Sequence, residues 1–189
     1  MNGQLVPSDE LLGRLLGVVS YRFKTFTQPH ANRDWTALLE CHLAHVASEL
    51  GLQTADYLVR EPRQNCVQRH GLQLRRDNCT VAAIAWEWKS SNEYPDLLPL
   101  RHLLRSDAEL KVFLTDTLVG EGAVRAAELG EVLARHGVNP KDRSVLAVVF
   151  AGAGKNALGR LASVTVVGQP DLVRWIPKRR ACFDCGLGH

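Results

Sequence analysis

The sequence predicts an α/β domain, a mixed β-sheet flanked by helices. Three observations carry this. Short apolar runs with a period of two are interspersed with stretches of helical period. The runs come first as a meander of three and then alternate with helices, the pattern of a layered sheet rather than a bundle. The chain has 189 residues, 46% of them apolar, which suffices to bury one proper core.

The elements follow in order. Leucines at 11, 12, 15 and 16 form a helical stripe over Asp9 to Val19, capped by Ser8 or Asp9. Tyr21 to Asn32 is irregular. Asp34 to Leu50 is a second helix, with Leu39, Leu43, Val46 and Leu50 on one face and Gly51 as its stop. His42 and His45 fall on the side away from that stripe and are expected to face solvent. Ala55 to Val59 is a strand, and Asn65 to Arg76 another, interrupted by Gly71. The third is the apolar run Thr80 to Trp86, continued by Glu87-Trp88-Lys89. Pro95 to Leu104 is a helix, Leu110 to Thr115 a strand, and Val124 to His136 a helix closed by Gly137. The strands Val145 to Phe150 and Ala162 to Val167 complete an α-β-β-β-α-β-α-β-β order. A single domain is expected over 1–176, with an N-terminal helical segment at 1–33 and a core of about 34–168. A basic Cys/His tail at 177–189 follows.

The third strand carries the chemistry. Glu87 and Lys89 alternate with Ala83 and Ala85, whereas Ile84, Trp86 and Trp88 share the opposite face. The two tryptophans are therefore expected in the core. A carboxylate and an ammonium beside a core are costly without partners, which a divalent cation and a phosphate would supply. The plain alternative is that both reach solvent at the strand's end.

No run of about 18 apolar residues is present to span a bilayer, and Ser8-Asp9-Glu10 before the leucine stripe that starts at Leu11 lacks the basic start of a secretory signal. Five cysteines form no disulfide framework, so the expected compartment is the cytoplasm. A net charge of +3 permits a nucleic-acid partner without demanding one. Basic residues gather at Arg60, Arg63, Arg69, Arg75 and Arg76 and again at Lys178-Arg179-Arg180 near Trp175. Both groups could pair phosphates, and both could be solvated faces.

Glu87-x-Lys89 on a third strand, with Glu40 on a preceding helix, resembles the PD-(D/E)XK nuclease superfamily over roughly residues 34 to 168. The resemblance implies a restriction-endonuclease-like α-β-β-β-α-β core and metal-dependent hydrolysis of nucleic-acid phosphodiesters, DNA more than RNA. It implies Mg2+ or Mn2+ held by Glu87 and an aspartate, Lys89 positioning water and Glu40 assisting. Hard cations want oxygen ligands, and they stabilise charge growing on phosphate oxygens. A homodimer would suit the cutting of two strands.

The aspartate has two candidates. Asp77 lies ten residues before Glu87, but Asp77-Asn78 is also the best turn signal in the region. A tight hairpin there would carry it more than ~20 Å from Glu87 at a rise of ~3.3 Å per residue. Pro62-Arg63-Gln64-Asn65 resembles the family's approach, with asparagine in the aspartate's place. Either Asp77 reaches the metal, or the domain binds without cutting.

Ala151-Gly152-Ala153-Gly154-Lys155-Asn156 fails as a phosphate loop, since Val149 stands where glycine is needed and Asn156 where Ser or Thr is. It is expected to be a hairpin loop. Cys182, Cys185 and His189 have knuckle-like spacing for Zn2+. A fourth ligand would have to come from elsewhere, such as Cys66, Cys79 or solvent. A flexible tail is the other reading.

Overall fold

The computed structural model describes residues 14, 32–61, 66–88, 97–118, 120–139, 144–153 and 160–167. They form an α/β arrangement of three helices and a six-stranded mixed sheet: α1 (Asn32–Glu49), β1 (Gln53–Glu61), β2 (Cys66–Arg76), β3 (Cys79–Glu87), α2 (Leu98–Leu104), β4 (Leu110–Leu118), α3 (Gly122–Arg135), β5 (Val145–Ala153) and β6 (Arg160–Val166). The strands lie in the sheet in chain order, β1-β2-β3-β4-β5-β6. Hairpins make β1–β2, β2–β3 and β5–β6 antiparallel. Helical crossovers through α2 and α3 make β3–β4 and β4–β5 parallel, as such connections require.

Alternation along the strands builds two cores. Leu72, Leu74, Ile84, Trp86, Val112, Leu114, Val148 and Phe150 face α1, whose Leu39, Leu43 and Val46 cover them. Val59, Ala83, Ala85, Phe113, Ala147 and Val149 face the other way, under Leu100 and Leu103 of α2 and Leu129 and Leu133 of α3. Trp86 and Trp88 are both buried on the α1 side, and the Trp88 indole donates to Thr36 Oγ1 at 3.0 Å, tying the end of β3 to α1. His42 departs from expectation. It is 3% exposed, its Nε2 lying 3.2 Å from the carbonyl of Arg14, whereas His45 is exposed and pairs with Glu49. The buried face of α1 is wider than its leucine stripe.

The helix stops have a shared form. Gly51 and Gly137 take φ of 64° and 72°, and each is flanked by two backbone bonds that satisfy the last carbonyls: Gly51 to Ser48 and Leu52 to Ala47, Gly137 to Ala134 and Val138 to Leu133. A left-handed residue without a Cβ is what such a cap needs.

Two extra residues interrupt the pairing of β1, β2 and β3. In β2, Tyr57 pairs with Gly71 but Leu58 with Arg69, leaving His70 as the bulged residue. In β3, Leu74 pairs with Ala82 but Arg75 with Thr80, leaving Val81. The first bulge separates neighbours. Arg69 turns to the α1 side and meets Glu40, while buried His70 lies near enough to α2 for its charge to help hold His102 below its ordinary pKa, after burial and Arg105.

Candidate active site

Glu87 ends β3, paired with Thr115 of the parallel strand β4. Its parity with Ala83 and Ala85 puts it on the α2/α3 side, opposite the tryptophans. It is 7% exposed, and its Oε2 is buried without a hydrogen-bond partner among the described residues. Burial pushes its carboxyl up to about 7; the Arg125 guanidinium pulls the other way and the Asp116 carboxylate adds to the rise.

The surroundings come from β4 and α3. Thr115, Asp116 and Thr117 are all buried at the carboxyl end of β4. Arg125, in the first turns of α3, is also buried. Its Nη1 reaches Glu128 Oε2 at 3.1 Å and its Nη2 reaches Thr115 Oγ1 at 3.5 Å. Thr117 donates to Glu121 Oε2 at 3.1 Å. A carboxylate, a guanidinium and two hydroxyls thus collect at the carboxyl ends of adjacent parallel strands.

Sequence reading missed the β4 and α3 contributions, although signals exist. The apolar run of β4 continues into Thr115-Asp116-Thr117, three polar residues in a strand already committed to burial. Arg125 stands at i, i+4, i+8 with Leu129 and Leu133, so an arginine occupies the helix's apolar face.

Two expected ligands are elsewhere. Asp77 sits in the two-residue turn closed by the Arg76–Cys79 pair, exposed, with φ of 53°. β3 runs from that turn to Glu87, so the two acids stand at opposite ends of one strand. The hairpin is the tight one, and its left-handed corner is a place aspartate tolerates. Glu40 is on α1, and its Oε1 pairs with Arg69 Nη1 at 3.0 Å; Arg69 Nε also reaches Asp56 Oδ1 at 2.7 Å. The sheet lies between Glu40 and Glu87.

The basic group divides too. Arg60 and Arg69 belong to the far end of the β1–β2 pair, and Arg75 and Arg76 to the turn that holds Asp77. Lys89, Arg63, Asn65, Lys155, Trp175, Lys178, Arg179, Arg180 and the Cys182, Cys185 and His189 tail lie outside the described residues.

One prediction follows from the turn. Asp77→Gly should change stability by no more than about 0.5 kcal/mol, since an exposed left-handed corner suits glycine. Any cleavage activity should be untouched, a point that parallel melts and nuclease assays check.

Among the described residues no group of three or more His, Cys, Asp or Glu is placed to hold a metal ion. No helix among them is long and apolar enough to cross a membrane. No family model, no curated protein and no solved structure matches this chain.

Proposed function

We propose that the chain is a metal-dependent phosphodiesterase acting on nucleic acid, DNA first, on a restriction-endonuclease-like core. The observation that carries the reading is Glu87: a buried carboxylate with an open oxygen at the carboxyl end of a parallel strand, two residues before Lys89. Magnesium needs only one or two protein carboxylates when substrate phosphates complete its shell. Glu87 is one. Asp116 acts on Glu87 through its charge, but its place between Thr115 and Thr117 and its pairing with Phe150 put it on the α1 face, across the sheet from Glu87, so it is not assigned as a second ligand. A bound Mg2+ or Mn2+ would supply Lewis-acid stabilisation of the phosphate oxygens and a more acidic water. Lys89 is assigned, by resemblance, to position that water.

Purified protein with linear, circular, single-stranded and branched DNA in magnesium, manganese or chelator tests this. Metal-dependent cutting is expected, falling at least ~100-fold in Glu87→Ala and in Lys89→Ala, the scale of losing a positioned catalytic group. Equal rates in the variants and wild type would overturn it.

A second reading is a binding module that does not cut. It is favoured by Asp77 and Glu40 both being held away from Glu87. It expects salt-sensitive binding without cleavage, and cutting abolished by Glu87→Ala would exclude it.

A further inference from the structure

Arg125 is the buried group that the proposed metal chemistry leaves unused. Its position on α3 continues the face of Leu129 and Leu133, where leucine or methionine would pack with no charge to desolvate. Its hydrogen bonds do not offset that cost. Among the described residues, Glu128 is the carboxylate paired with it and is half exposed, the contact to Thr115 is long, and Nε is buried without a partner. Glu87 is close enough for its carboxyl to feel the guanidinium, yet no ion pair joins them and Glu87 keeps its own open oxygen. Two opposite buried groups, each with an unused polar atom, therefore stand at one strand end without closing on each other. Direct pairing would satisfy both at once. A ligand carrying anionic oxygens would satisfy Arg125, and a cation accompanying it would satisfy Glu87.

We infer that Arg125 is the phosphate-binding residue of this site, its guanidinium donating to a non-bridging oxygen of a nucleic-acid backbone. The inference rests on the reading of the site as one for nucleic-acid phosphodiesters, but not on cleavage. Guanidinium suits the role because its donors are fixed in a plane and its charge is permanent. The first turn of α3 adds the positive end of a helix dipole on the same side.

The test uses the full chain and a short fluorescent single-stranded DNA oligonucleotide in chelator, so that binding is read without chemistry. Arg125→Met should weaken binding at least tenfold and reduce the slope of log affinity against log salt by about 0.7, one phosphate contact fewer. Arg125→Lys, which keeps the charge but not the fork, should recover part of the loss. A folded Arg125→Met with wild-type affinity and slope overturns the inference, as does a wild type that fails to bind. If neither variant folds, the wild-type Arg125 Nε–H resonance gives the answer: it must move on adding the oligonucleotide, and a stationary signal overturns the proposal. Cleavage is assayed separately in magnesium and manganese. Arg125-dependent binding without cutting would sink the nuclease reading and leave this one standing; cutting with Arg125-independent binding would do the reverse.

Discussion

Glu87→Gln is expected, on the proposed reading, to abolish cutting, and at neutral pH and above to give a protein more stable than wild type. The sign follows from burial. The carboxyl's ordinary value is 4.5 and the folded protein pushes it up to about 7. Below pH 4.5 the group is neutral in folded and unfolded chains and contributes no difference. Between 4.5 and 7 the unfolded chain releases the proton while the folded one retains it, so stability falls as pH rises. Above 7 the full cost applies, about 3 kcal/mol for a separation of that size. Glutamine has the same shape and no charge. The difference in unfolding free energy between variant and wild type, measured by denaturant titration in chelator, should grow from pH 4.5 to 7 and then level off. A flat difference would show that the carboxyl is not desolvated as described. Stability gained by neutralising a buried acid while activity is lost is the exchange expected of a site kept for function.

Gly71→Ala should be the most damaging small substitution in the sheet. A Cβ at Gly71 would be driven into the carbonyl oxygen of Ile84 and within 2.9 Å of Ala85 Cα. Both are backbone atoms of β3 and cannot rotate away, so β2 and β3 must part at the pairs that lead to Glu87. Overpacking against backbone lies at the upper end of the small-to-large range, about 3 kcal/mol or more, and a chain of this size would melt roughly 6–12 °C lower. Gly130→Ala provides the contrast. Among the described residues its Cβ would meet Val167 Cγ1 alone, at 3.7 Å, from within helix α3, so the change should stabilise by about 0.5–1 kcal/mol. Thermal melts of the pair should move in opposite directions.

The elements were legible because period and punctuation agree in this chain. The leucine stripe before Gly51, the alternation ending at Glu87 and the glycine stop at Gly137 all became the elements they signal. The opposite faces of β3 were legible too, since period-two parity needs no tertiary information. What the sequence did not yield were facts of register and layer. Glu40 and Glu87 are separated because α1 covers the other face, whereas the turn signal at Asp77-Asn78 already offered the tight hairpin that parts Asp77 from Glu87. The bulge at His70, which sends Arg69 to Glu40, has no local sequence mark beyond Gly71. Arg125, Thr115 and Thr117 join Glu87 through the parallel crossovers, a juxtaposition across some thirty residues that no window reveals.

The strand order has a consequence for how the chain acquires its shape. Every strand lies beside the one made just before it, so no strand must be threaded between two that already exist. The β1–β2–β3 meander closes through short hairpins, and each later strand meets an edge that is already present. Short loop closures are the least costly in entropy and the fastest to form. A chain emerging from the ribosome could therefore extend the sheet in the order of its synthesis. The seam at β3, where local pairing gives way to crossovers, would be the step at which growth slows, and Glu87 would be in place before the partners that surround it.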